Sequence, residues 1–183
     1  MSRAPTPPLA FSVAPAPIWR LLWLWVPMAG AMAVVTVTTL QSSQRSPLEL
    51  GYTLPFVLLV TGVLTWAFFR RRIFLEGDDL VVVSTFYRRR VPVASLQLDK
   101  ARIVDLAEHH EFKPSHKING YAMPGFQSGH YRLGGRKAFC LITDASRVLY
   151  LPLRDDSVLL LSPEQPRALL EALQALAVPA RAH

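Results

Sequence analysis

One cysteine, Cys140, is all this 183-residue chain contains. A single thiol rules out an intrachain disulfide and a cysteine-based zinc site. Its place in an apolar run at 138–143 reads as a small buried hydrophobe. Acids are scarce at the front: residues 1–72 hold only Glu49 against Arg3, Arg20, Arg45, Arg70, Arg71 and Arg72. Three catalytic signatures are missing: a phosphate loop ending in Gly-Lys-Ser/Thr, a His-Glu-x-x-His and a nucleophile elbow around any serine. His109, His110, His116 and His130 lie near Glu108 and Glu111 without metal-ligand spacing. Asp78-Asp79 and Asp155-Asp156 read as turn acids. The chain is therefore expected to be non-enzymatic, with no cofactor and no metal.

Two uncharged apolar runs, residues 21–40 and 50–69, are present instead. Each is long enough for the roughly 30 Å hydrocarbon core of a bilayer. A cleaved signal peptide ending at Ala29-Gly30-Ala31-Met32-Ala33 is the competing reading. It fails because the apolar run continues to Leu40 and a proline-bearing leader precedes Arg20. Trp19, Trp23 and Trp25 at one end, and Trp66 at the other, suit the headgroup interface on one side. Pro27 is expected to kink the first span, and Pro55 to fall in the first turn of the second.

The resulting map has six parts. Residues 1–17 are a disordered proline-rich leader, 18–41 a first transmembrane helix and 42–53 an extracytoplasmic loop. Residues 54–72 are a second helix with a basic cytoplasmic flank, 73–178 a folded domain and 179–183 a tail. Positive charge on the outer flanks puts both termini in the cytoplasm, and the localisation expected is a bacterial inner membrane. The isoelectric point near 10.1 does not imply nucleic acid, because topology accounts for most of the surplus charge. Neither span carries an ionisable residue, which disfavours an ion path.

After Arg72 short apolar runs alternate with turn residues. Residues 73–76 and 80–86 read as a hairpin around Gly77-Asp78-Asp79, with Tyr87-Arg88-Arg89-Arg90 as the next turn. Further strands are expected at 91–98, 102–106, 131–133, 137–143, 147–153 and 157–161, with a long loop over 107–128. Ser162, Pro163 and Gln165 suggest a capping box opening a helix whose apolar face is Leu169, Leu170, Leu173, Leu176 and Ala177.

The segment Asn119-Gly120-Tyr121-Ala122-Met123-Pro124-Gly125-Phe126-Gln127-Ser128-Gly129, with the strands after it and Ser162-Pro163-Glu164, resembles one family of bacterial pleckstrin-homology-like domains. Lys117-Ile118 stands where that pattern carries an arginine. The resemblance implies a barrel of about seven strands capped by a C-terminal helix. The fold class expected is thus a two-helix transmembrane hairpin followed by a mainly β, PH-like α+β domain.

The function expected is a membrane-proximal scaffold that docks a protein partner or a second copy of itself, with the lipid bilayer as its other partner. Two alternatives stand beside it. One is sensing of anionic headgroups through a basic turn at Arg88, Arg89 and Arg90, beside Arg70, Arg71 and Arg72. The other is an accessory subunit of a membrane enzyme or transporter. Asn119, Gly120, Tyr121, Pro124, Gly125, Phe126 and Gly129 form the candidate ligand or partner loop, against a plain packing role for the same residues.

Overall fold

The computed structural model describes residues 9–41 and 48–177. Residues 1–8 of the leader, Arg45 with its neighbours 42–47, and the expected tail lie outside the described residues. The chain forms two units, Pro17–Phe69 and the combination of Met1–Ala16 with Arg70–His183.

In the first unit a 3-10 turn, Ile18–Leu21, leads into α1, Leu22–Gln41, which packs against α2, Leu48–Phe69. Large apolar side chains stay exposed on both, including Trp23, Trp25, Val26 and Val34 on α1 and Phe56, Leu58, Leu59 and Trp66 on α2. A helix apolar all round and not covered by protein suits lipid. The segments Ile18–Gln41 and Gly51–Phe69 are long and apolar enough to cross a membrane. Their threonine hydroxyls are satisfied inside the helices: Thr39 donates to the Val35 carbonyl at 2.8 Å, and Thr61 and Thr65 donate to the carbonyls four residues back at 2.7 Å. A polar group in hydrocarbon needs such an internal partner. α2 is already helical from Leu48, ahead of the start expected at 54. Pro55 therefore lies inside α2, not in its first turn.

The second unit holds two sheets. β1 (Leu9–Phe11), β2 (Arg71–Glu76), β3 (Asp79–Ser84) and β4 (Tyr87–Pro92) form an antiparallel sheet in chain order. The other strands are β5 (Arg102–Val104), β6 (His116–Met123), β7 (Phe126–Leu133), β8 (Arg136–Ile142), β9 (Val148–Pro152) and β10 (Val158–Leu161). They order as β5-β9-β10-β8-β7-β6, with β10 parallel to β8 and every other pair antiparallel. The helix α3, Pro166–Ala177, follows.

One core lies between the sheets. Ile73, Leu75, Leu80 and Val82 meet Phe139, Leu141, Leu149, Leu151, Leu159 and Leu161, and α3 adds Leu169 and Leu173. The six-stranded sheet is buried on its outer face as well, where Ala138, Cys140, Ile142, Val148, Tyr150, Val158 and Leu160 pack with Leu106 and Phe112. Burial on both faces explains why β8, β9 and β10 read as continuous apolar runs without alternation.

Several expectations are corrected here. The leader is not wholly disordered. Leu9, Ala10 and Phe11 pair with Leu75, Phe74 and Ile73, the Ala14 N–H donates to the Ser162 carbonyl at 2.9 Å, and the Glu164 N–H donates to the Ser12 carbonyl at 2.8 Å. A strand this short is recognisable only from the edge that receives it. Arg71 and Arg72 belong to β2 and do not extend the helix flank, since α2 ends at Phe69. The expected loop at 107–128 contains β6, whose hairpin partner β7 begins at Phe126. The fold class itself is as expected, two apolar helices followed by a mainly β, PH-like unit with a C-terminal helix; among the described residues its strands number ten in two sheets, the sandwich form, where about seven were expected. α3 starts at Pro166, because the Ser162 hydroxyl is occupied by the Asp144 carbonyl at 2.8 Å and its N–H by the Leu141 carbonyl at 2.9 Å.

Facing residues in an antiparallel pair have Cα atoms about 4.5–5.5 Å apart, within disulfide reach. The double variant Ala10→Cys/Phe74→Cys should therefore form an intramolecular disulfide in mildly oxidised membranes, seen as a gel shift. Ala10→Cys/Ile73→Cys, whose side chains point to opposite faces, should not. Equal cross-linking of both pairs would contradict the β1 register.

Candidate functional site

The basic residues of β4 occupy a strand and not a turn. The turn before them is Thr85-Phe86, with Thr85 at a φ of 53°. That displacement matters because strand side chains alternate between faces. Arg88 and Arg90 point outward towards acids: Arg90 Nε lies 2.6 Å from Asp79 Oδ2 and its Nη2 3.3 Å from Glu76 Oε2, with Arg88 Nη2 at 3.9 Å from the same oxygen. Arg89 is half-buried on the other face. Its Nη2 donates to Ser157 Oγ at 2.9 Å and its guanidinium sits 5.9 Å from the Phe139 ring centre. Burial lowers the pKa of Arg89, and Asp155 opposes that shift. The Asp155 carboxyl is in turn held below its ordinary range, chiefly by hydrogen bonds from the Ser157 side chain and backbone. The three arginines do not make one basic patch.

The other basic run divides in the same way. Arg71 is half-buried with its guanidinium 5.7 Å from the Phe126 ring centre, whereas Arg72 is exposed. The Arg70 carbonyl accepts the Thr85 N–H at 2.9 Å. Arg71 thus meets the second candidate group, the segment 119–129, through Phe126.

That segment is a packed hairpin. Phe126 is fully buried and stands edge-on to Tyr121 at 5.8 Å. Asn119 Oδ1 accepts the Tyr87 hydroxyl at 2.7 Å. Ser128 Oγ lies 2.6 Å from Ser84 Oγ and 2.7 Å from Thr85 Oγ1, so three buried hydroxyls join the β3–β4 turn to β7. Gly129 has a φ of 106°, and a Cβ there would stand 2.7 Å from both the Asn119 carbonyl oxygen and Gly120 Cα. A Cβ on Gly120 would stand 2.5 Å from the Ser128 carbonyl oxygen. Pro124 and Gly125 are exposed at the turn. The glycines serve close backbone approach, and the aromatic residues serve packing. His130 lies beside them, between Tyr87 at 5.5 Å and Phe139 at 5.1 Å. Burial, and then the charge of Arg89, lower its pKa from the usual 6.5.

A cleft of about 380 Å³ lies elsewhere on the same unit. Gln97 and Lys100 line it from the β4–β5 connection, Arg102 from the start of β5, Phe112 from a 3-10 turn, Arg136 from the start of β8 and Tyr150 from β9. Asp156 and Ser157 close it from the β9–β10 turn. Phe112 and Tyr150 meet edge-on at 4.8 Å, and Arg136 Nε reaches Asp156 Oδ1 at 3.0 Å. Arg89 stands behind the Ser157 wall. Sequence reasoning missed this group because its members come from six segments. The one local sign was Lys100 and Arg102, two residues apart where a 3-10 turn gives way to β5. Among the described residues no three His, Cys, Asp or Glu side chains gather as metal ligands would. Cys140 is fully buried, and that burial pushes its thiol pKa up.

Two outcomes follow from this packing. Gly129→Ala should lower the stability of the detergent-solubilised chain by about 2–4 kcal/mol in thermal or denaturant unfolding, from left-handed strain plus overpacking. An unchanged midpoint would refute the close approach. For His130, the unfolded chain takes up its proton first as pH falls, so this residue subtracts stability below about 6.5 and nothing above it. Arg89→Met removes the second cause of the shift. It should move the His130 titration midpoint part of the way upward in NMR spectra of the whole chain.

A family profile described as Bacterial PH domain matches residues 71–177. No curated protein and no solved structure matches. The matched stretch begins with β2 and ends with α3, taking in both sheets except β1, and covers more than half of the chain. The two-sheet unit carried by this helix pair therefore belongs to the bacterial PH domain family.

Proposed function

We propose that this chain is a non-catalytic docking module of the bacterial inner membrane, which holds its PH-like domain at the cytoplasmic face to receive a protein partner. The observation that carries this reading is the outer edge of β6. This eight-residue strand ends the six-stranded sheet, and no other strand among the described residues pairs with that edge. Its exposed Ile118 sits at the register shift between Lys117 and Asn119. An open edge offers backbone donors and acceptors to an added strand, with side-chain pockets setting the choice of partner.

The location has its own support. β1 precedes the helix pair and β2 follows it, yet the two strands share one sheet. A pair of membrane-crossing helices with both ends tied into one folded unit crosses as a hairpin. Charge on the outer flanks favours the cytoplasm for that unit. The non-catalytic reading draws on the serines: the Ser128 hydroxyl engages Ser84 and Thr85, and that of Ser162 engages a backbone carbonyl. Headgroup sensing through Arg88 and Arg90 has less support, since Glu76 and Asp79 counter both charges.

A photo-cross-linking residue placed at Ile118 of the full-length protein in native membranes tests the docking edge. Discrete adducts are expected from position 118 and none from exposed Arg167 on α3. Adducts of twice the chain mass would make the partner a second copy. Absence of adducts from position 118, or the same adducts from both positions, would overturn the reading.

A further inference from the structure

We infer that the cleft between the β4–β5 connection and the β9–β10 turn binds a small phosphate monoester. The inference does not depend on the docking role of β6. Its first support is charge. Lys100, Arg102 and Arg136 line one cleft against the single acid Asp156, leaving an excess of two positive charges. Asp156 engages Arg136, and among the described residues no carboxylate lies within ion-pair distance of Lys100 or Arg102. This contrasts with β4, where each outward arginine faces an acid. Three cations lining one cleft against one acid give it a positive field, which a dianion would neutralise.

The second support is shape. A volume of about 380 Å³ sits at the lower end of small-molecule sites, roughly 300–1,000 Å³, and is too small for a protein segment or a nucleic acid. The walls are fixed by the fold. Arg102 faces Tyr150 directly in the β5–β9 register, and Ser157 is held by Arg89 and Asp155. Phosphate suits this donor set better than carboxylate. Three non-ester oxygens can meet three cationic groups, and two of those groups are guanidinium forks. The Phe112–Tyr150 wall gives an apolar surface to the organic part of the ester.

A soluble phosphate ester and a lipid with a phosphomonoester headgroup share this chemistry. Full-length protein in zwitterionic phosphatidylcholine nanodiscs, titrated calorimetrically with glycerol 3-phosphate, tests the site. Binding is expected, weakening with added salt. Lys100→Ala/Arg102→Ala should lose at least about 100-fold in affinity, the scale of two charged hydrogen bonds removed. Arg88→Ala/Arg90→Ala should bind as the unaltered chain does. Asp156→Asn, which removes the competing carboxylate, should bind more tightly, a gain that a merely structural loss cannot produce. Unfolding midpoints of all variants provide the folding control. Repeating the titration in nanodiscs containing phosphatidic acid separates the sources: competition assigns the site to a lipid headgroup, and undiminished binding assigns it to a soluble ester. No binding up to about 10 mM, or equal losses in the cleft and β4 variants, would overturn the inference.

Discussion

Burial of β10 on both faces organises this domain. Val158, Leu159, Leu160 and Leu161 are all fully buried, and they divide between two cores: Leu159 and Leu161 face the four-stranded sheet, while Val158 and Leu160 face the outer cluster. Each such side chain contributes about 1.5–3 kcal/mol on transfer from water. The strand also sits between β9 and β8, parallel to the latter. Without it the six-stranded sheet would divide into β5-β9 and β8-β7-β6, and neither core would close.

Charge follows the same geometry. Period-two alternation along β4 turns a run of three arginines into two outward ion-pairing residues and one inward strut. Arg89 links the first sheet to the turn that enters β10 and bounds the cleft with its hydrogen bond to Ser157. Its charge also reaches His130 from behind. One half-buried cation therefore connects the interface between the sheets, the wall of the cleft and the titration of a neighbouring imidazole.

The most legible parts of the sequence were those where one local pattern decides the structure. Two long uncharged runs give two helices, leucines at helical spacing give α3, and apolar runs between turn residues give β2, β3, β8, β9 and β10. Other parts depended on distant partners. β1 is three residues whose only signal is the edge of β2. β6 carries Lys117, Gly120 and Tyr121 on a mostly exposed strand, so no alternation marks it. A turn displaced from Tyr87–Arg90 to Thr85-Phe86 changed the face assigned to each arginine. Ser162-Pro163 and Gln165-Pro166 both resemble helix starts, and only the tertiary bonds of Ser162 decide between them. The candidate hairpin was legible as a segment, but the buried hydroxyls and close glycine contacts that give it a packing role were not. The cleft was hidden because strand register, not spacing, assembles it.

The clasp of β1 has a consequence for biogenesis. Leu9–Phe11 is made before its partners in β2 and at Ser162 to Glu164, which emerge only after both apolar helices. A domain that grows from its N-terminus in the usual way folds as it is made. Here β1 must wait, unpaired, until both apolar helices have been made. For a helix pair that crosses a bilayer, closure of the sheet is then a checkpoint: β1 can seat only if its flank lies on the side where the rest of the domain emerges.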